Sequence, residues 1–253
     1  MAPFGLEQKR KLKLPNKCVY LTQMKLKQNI RIAVDAVVFG YENNRLYVLL
    51  IQQKYGKYKA QWSLPGGFVK DDEGLKEAAF RELLEESGVK LTELEQLYTF
   101  GDDVKRDHRF RVVSVAYLGT VIPSKMKLQA TTDAMDAKWL PIEELSTLPY
   151  DHNSILDTAL ARLKAKLNYQ PIGFNLLAKK FPFSDLENLY MTILQKKIDR
   201  RNFRKKILSF GFLEETGEMV QKGSGRPATL FKFNKTKYQK SIRQGINFEI
   251  KFA

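Results

Sequence analysis

The sequence predicts an α/β layered domain followed by a smaller, basic module of helices and a hairpin. Three observations carry this. Strand-like runs and helical patterns alternate from Ile30 to about Leu167, and Pro171 and Gly173 then punctuate the chain. Beyond them the pattern changes to short helices and a hairpin. The charge changes with it: Lys and Arg against Asp and Glu count 7 to 1 over residues 1–29, 19 to 20 over 30–167 and 17 to 7 over 168–253. Most of the net charge of +15 therefore lies in the C-terminal third, which points to a polyanionic partner for that part.

Residues 1–29 are basic and poorly patterned, with KRKLKLPNK the densest run; a solvated tail or a supplementary phosphate-contacting arm are the two readings. The domain expected over 30–168 begins with RIAVDAVVF and LYVLLIQ, separated by YENN, which reads as a hairpin. Gln61–Leu64 leads into an acidic helix. Leu97–Gly101, Val112–Val121 and Asp133–Leu140 read as further strands, and WLPIEEL as the entry to a helix near Pro141. Asp151–Leu167 is helical, with Ile155, Ala159, Leu160, Leu163 and Leu167 on one side. No apolar run approaches 18 residues and the start has no apolar signal-like region, so neither a membrane span nor a signal peptide is expected. The single Cys18 cannot form an intrachain disulfide, which makes a reducing cytoplasm the expected compartment.

The most informative stretch is Gly67–Val89, GFVKDDEGLKEAAFRELLEESGV. A helical pattern begins near Gly74, with Leu75, Ala78, Ala79, Leu83 and Leu84 expected to face a core. Side chains three and four apart are helix neighbours, so Glu82, Glu85 and Glu86 share a face, within reach of a single point. Such a carboxylate cluster repels itself unless a cation neutralises it, and an all-oxygen donor set suits Mg²⁺ or Mn²⁺, which keeps waters and takes phosphate oxygens as further ligands. Glu85 and Glu86 alone would read as a solvated acidic face. The spacing Gly, five residues, Glu, seven residues, Arg-Glu, apolar, any, Glu-Glu, any, Gly, apolar reverses that; Gly67, Glu73, Arg81, Glu82, Leu83, Glu85, Glu86, Gly88 and Val89 satisfy it in full.

This is the pattern of the Nudix box, and the domain resembles the Nudix family. The resemblance implies an α/β/α sandwich with a mixed sheet, Glu82, Glu85, Glu86 and the Gly67 backbone around the metal, and Arg81 orienting a carboxylate with Glu73 paired to it. Glu82, Glu85, Glu86 and Arg81 are then the expected catalytic set. The implied chemistry is attack of an activated water on a diphosphate phosphorus. The base is sought in Glu86 or in the loop acids Asp102, Asp103 and Glu143. Arg106, Arg109 and Arg111 read as an exposed strand start or as phosphate contacts, and His108 and His152 as surface or capping residues.

Residues 169–253 form the second expected domain. Phe174–Lys180 reads as a helical turn; Ser184 is a good N-cap for a helix with Leu186, Leu189, Tyr190, Ile193 and Leu194 on one stripe. Asp199 caps RRNFRKKILSF, in which Phe203 and Ile207 face inward, and Gly211 ends it. FLEETGEMVQKGSGRPATLFKFN is a hairpin with a basic, Gly-rich tip. This order is that of a winged helix-turn-helix, whose second helix would present Arg200, Arg201, Asn202, Arg204 and Lys205 to the major groove, with Lys222 and Arg226 on the wing. The alternative is a basic solvated helix in a small accessory domain.

The box, QPIGFNLLAKKFPFSDLENLY, DRRNFRKKIL and GRPATLFKFN together resemble the Nudix-related transcriptional regulators of bacteria, of the NrtR and AraR type. That resemblance implies a homodimer on a double-stranded operator, with ADP-ribose or, in the AraR branch, a sugar as effector. Members of that group have often lost box carboxylates; here all are present, so Mg²⁺-dependent hydrolysis stays open. The second hypothesis is a Nudix hydrolase, ADP-ribose pyrophosphatase-like, with a nucleic-acid-binding accessory domain.

Overall fold

A computed structural model describes residues 29–130, 134–171, 173–221, 225–245 and 248–250. The basic segment up to residue 28, with Cys18, and the wing residue Lys222 lie outside the described residues. Arg31–Ala253 forms one compact unit.

The first sheet grows from a hairpin. Strands β1 (Ile30–Glu42) and β2 (Arg45–Gln53) pair antiparallel through a two-residue turn, Asn43 and Asn44, both at positive φ, the conformation that follows strand twist and that Asn tolerates. β3 (Trp62–Ser63), β4 (Gly66–Phe68), β5 (Glu95–Phe100), β6 (Arg111–Val121) and β7 (Ala134–Pro141) complete seven strands, ordered β3-β2-β1-β6-β5, with β4 on β1 and β7 on β2.

Helices cover both faces, as the period of two along β1 requires. Ala36 and Val38 pack with Leu83 of helix α1 (Leu75–Ser87), whereas Val37 and Phe39 pack with Ile155, Ala159 and Leu163 of helix α2 (His152–Tyr169). The α/β/α sandwich expected from the sequence is therefore present. Helix α1 starts at Gly74, whose N–H is taken by the Glu77 carboxylate at 2.9 Å, and ends at Gly88, where φ of 74° closes the helix on Leu84 O. Leu75 and Leu84, expected in the core, are 37% and 47% exposed. The α1 stripe is narrower, set by Ala78, Ala79 and Leu83, and Glu86 lies on its buried side. The helix entry expected near Pro141 is only a 3₁₀ turn over Ile142–Glu144; α2 begins ten residues later.

The second module is a winged helix. Helices α3 (Gly173–Leu176), α4 (Phe183–Leu194) and α5 (Arg200–Ser209) precede β9 (Leu213–Val220) and β10 (Ala228–Phe233). Asp199 caps α5 as expected, accepting from the N–H groups of Arg201 and Asn202. The N-cap of α4 is Pro182 rather than Ser184, because Phe181–Pro182 form a short strand, β8, on β10, and the helix starts directly after it. Helix α6 (Lys235–Arg243), for which sequence reading had no element, is capped by Asn234. The aliphatic core of α2 is continuous with Leu186, Leu189 and Ile193 of α4 and with Phe203 and Ile207 of α5.

Candidate functional site

Two sites emerge. The first is a cavity of about 310 Å³ lined from strands β1, β2, β4 and β6 of the seven-stranded sheet, with Gly66, Gly67, Phe68 and Glu86 among its walls. Asp35, Arg106, Asp107, Arg109, Tyr150 and His152 also line it, with Lys54 and Lys57 among the remaining lining residues.

The box residues are organised by Arg81. Its Nε and Nη2 grip both oxygens of Glu73 at 2.8 and 2.5 Å, Nη1 donates to Glu82 at 2.7 Å and Glu85 at 3.1 Å, and Nη2 also donates to Phe68 O at 3.1 Å. The guanidinium fork holds the Glu73 carboxyl down to about 2. Burial raises Glu82 despite Arg81 beside it. Glu86, 7% exposed, accepts from the Gly66 N–H at 2.8 Å.

The expected convergence of Glu82, Glu85 and Glu86 on one point is not seen. Among the described residues no group of three acidic, His or Cys side chains is assembled to hold a metal. The physical reason is charge: Arg81 draws Glu82 and Glu85 toward itself, and Glu86 turns to the Gly66 N–H. The donor set nevertheless suits a hard divalent cation: Glu82 and Glu86 flank the glycine turn, and Glu85 joins Glu82 on Arg81. At Gly67 a Cβ would lie 2.6 Å from Glu82 Cδ, so only glycine lets the turn approach that carboxylate.

Asp102, Asp103 and Glu143 do not line the cavity; Asp103 accepts from the Lys105 N–H and Glu143 is paired with Arg45 at 2.6 Å. Glu86 does line it. Two readings of basic residues need correction. Arg106 is not on an exposed strand face but 8% exposed in the loop before β6, and His152 is not a surface residue but 5% exposed as the first residue of α2. His108 is exposed, as expected, at the cavity rim. Sequence reading also missed Asp35, which sits at the centre of a buried network with Ser114, Arg106 and His152. Burial alone would raise its carboxyl, but His152, Ser114 and Arg106 outweigh it and hold it below the ordinary range. Aromatic side chains complete the lining: Tyr150, backed edge to face by Tyr58 at 4.7 Å, and Phe68, whose ring lies 5.5 Å from the Arg109 guanidinium.

The second site is the exposed face of α5. Arg200, Arg201, Asn202, Arg204 and Lys205 are all exposed, opposite buried Phe203 and Ile207. The Arg204 guanidinium lies over the rings of Phe183 at 4.4 Å and Phe231 at 5.4 Å, so its head is steadied by the aromatic side chains beneath it. Asn202 Nδ2 is tied to Asp199 Oδ2 at 2.8 Å, and Arg200 lies 3.8 Å from Glu187. Arg226, on the β9–β10 connection, is exposed.

The architecture is that of a Nudix domain joined to a winged helix, and known proteins agree. The Nudix domain family matches residues 29–163, and the NrtR DNA-binding winged helix domain matches 173–233. The "ADPR responsive transcriptional repressor NtrR" of Acinetobacter baylyi is 34% identical over 206 residues, 80% of this chain and 81% of that protein. The crystal structure of Shewanella oneidensis NrtR complexed with a 27mer DNA superposes with a TM-score of 0.69 at 29% identity, over 82% of this chain and 95% of that one. The NUDIX domain of the same protein complexed with ADP ribose superposes at 0.51 with 32% identity, over 58% of this chain and 98% of that one. The chain belongs to the Nudix-related transcriptional regulators of the NrtR type.

Proposed function

We propose that this protein is a transcriptional repressor that binds operator DNA through its winged helix, residues 169–253, and ADP-ribose through its Nudix domain, residues 30–168. The observation that carries this reading is the coexistence in one compact unit of an anion-receptive cavity and a basic, exposed second helix of a winged helix. Relatives over most of the chain's length, whose names and structures pair ADP-ribose with DNA, support it.

Within the cavity, Arg109, Lys54 and Lys57 attract the diphosphate, and Phe68 and Tyr150 offer an apolar wall to a planar group. Glu82, Glu85 and Glu86 beside the Gly67 backbone would hold Mg²⁺ or Mn²⁺, which supplies neutralisation of diphosphate charge and activation of water. In the reader, Arg201, Asn202 and Lys205 of α5 address the major groove, with Arg200 and Arg204 on its flanks and Lys222 and Arg226 on the backbone beside the wing. Two copies on a palindrome give the half-site geometry such a reader uses.

Titration calorimetry of ADP-ribose against the full chain, and fluorescence anisotropy of a labelled duplex selected by it from a random pool, test both halves. Saturable binding in each assay is expected, with Arg109→Ala lowering only the first and Arg201→Ala only the second. A chain that binds no duplex at low salt, or no ADP-ribose, contradicts the proposal.

A hydrolase reading is favoured by one specific feature: the box is intact, with Glu86 buried at the cavity and oriented by the Gly66 N–H. A carboxylate so held is placed to take a proton from an attacking water. It predicts Mg²⁺-dependent release of AMP from ADP-ribose that Glu86→Gln abolishes; a protein inert with Mg²⁺ and with Mn²⁺ is a sensor only.

A further inference from the structure

The buried network around Asp35 belongs neither to the box nor to the reader, yet it touches elements of both. Asp35 lies in β1 opposite Gly66 of the glycine turn. Its Oδ2 accepts from Ser114 Oγ at 2.5 Å and from Arg106 Nη2 at 3.4 Å, and its Oδ1 lies 3.3 Å from His152 Nε2. The other imidazole nitrogen, Nδ1, accepts from the Leu64 N–H at 3.0 Å, which leaves the ring proton on Nε2, facing Asp35. Arg106 also gives its Nε and Nη2 edge to Asp151 in a bidentate pair at 2.8 and 2.6 Å. Asp151 and His152 are the N-cap and first residue of α2. Asp151 makes no side-chain cap bond to its own helix; its carboxylate is turned to Arg106 instead.

Helix α2 runs about 27 Å at 1.5 Å per residue. Its other end is embedded in the reader. Leu163 and Leu167 share one apolar cluster with Leu186, Leu189 and Ile193 of α4 and Phe203 of α5. Lys164 Nζ donates to Gln195 Oε1, at the C-cap of α4, at 3.2 Å. The Ile250 N–H, near the end of the chain, bonds Asn168 O at 2.9 Å. One element thus has its N-terminal end at the cavity and its C-terminal half against α4 of the reader, which in turn packs on α5.

Arg106 supplies the alternative state such a relay needs. Its guanidinium lines the cavity while Asp151 does not. A phosphate that takes the Nε–Nη2 edge held by Asp151 displaces it, because one edge of the fork can satisfy only one such pair of oxygens fully. Ligand and helix end therefore compete for one cation, which makes the contact differ between bound and free states, as coupling requires.

We propose that Arg106, Asp35 and His152 are positioning residues that clamp the start of α2 to the cavity, and that an anionic ligand releases Asp151 and so passes its presence along α2 to α4 and α5. The proposal rests on the reading of the cavity as an ADP-ribose site. Two variants of the full chain test it. Asp151→Asn keeps the shape and removes the charge; Asp151→Ser supplies a favourable N-cap, so fraying of α2 is not the cause of any effect it shares with Asn. The readout is the affinity of the selected duplex without and with saturating ADP-ribose, beside ADP-ribose affinity by calorimetry. The wild-type chain is expected to change its duplex affinity by about fivefold or more, the usual lower range of allosteric coupling. Both variants, with the clamp already released, are expected to bind duplex alone as the wild-type chain does with saturating ADP-ribose, and to bind ADP-ribose at least as tightly. Their duplex response shrinks to less than about twofold, below that coupling range. A wild-type response in either variant, or a loss of ADP-ribose affinity of about tenfold or more (1.4 kcal/mol), overturns the relay while leaving the regulator reading intact. A wild-type chain whose duplex affinity ignores ADP-ribose overturns both.

Discussion

The cavity and the reader use charge in opposite ways. In the box and in the Asp35 network beside the cavity, charged groups are shielded and already bonded: Arg81 serves three carboxylates and a carbonyl, and Arg106, at 8% exposure, serves Asp151 and Asp35. On α5 the basic side chains are exposed, and beneath them only Phe203 and Ile207 are buried. A small diphosphate must be met by donors fixed in place, because mispositioned donors in a dry pocket cost desolvation without return. A duplex presents a line of phosphates and is met by exposed cations that adjust.

The comparison breaks most visibly in stability. Leu83→Ala, beneath the box and 0% exposed, is expected to cost about 3 kcal/mol in denaturant unfolding, whereas Arg201→Ala stays within about 0.5 kcal/mol. An equal loss from both would mean that the reader face is not a mere surface. In duplex binding the order inverts: Arg201→Ala and Lys205→Ala are each expected to cost about 1–3 kcal/mol of affinity, measured by anisotropy, and Leu83→Val almost none. Salt sharpens the contrast further. The logarithm of duplex affinity should fall with log salt by about 0.9 per phosphate contacted, while ADP-ribose affinity falls far less. The smallest effect is in acid. Because Asp35 is held below its unfolded value of about 3.9, its contribution to stability is fully present above that pH and is lost as pH falls through the lower folded value. Asp35→Asn should flatten the acid limb of the stability curve and leave its neutral part parallel to wild type; unchanged acid unfolding in the variant would assign that limb to other carboxylates.

How far each region was legible follows from how local its geometry is. The start of α1, the hairpin turn at YENN and the Asp199 cap of α5 depend on residues within a few positions of one another, and each appears where sequence spacing expects it. So do Phe203 and Ile207, buried at i and i+4. The Asp35 network joins residues 35, 64, 106, 114, 151 and 152 from separate elements, and no local period announces such a meeting. His152 looked like an isolated surface histidine for this reason. Glu86 belongs to the acidic face by spacing, but its burial was not legible: its turn of the helix faces β4, where the Gly66 N–H donates to its carboxylate. Strand β8 is two residues long and its Pro182 argues against a strand, so only the pairing of Phe181 with Phe231 reveals it.

The central claim is that one chain holds two sites whose affinities are linked. The most direct test is reciprocity: ADP-ribose affinity of the full chain measured with and without saturating duplex, beside duplex affinity with and without saturating ADP-ribose. The two ratios must agree, at about fivefold or more. Ratios of one in both directions, with both ligands bound, would contradict the account.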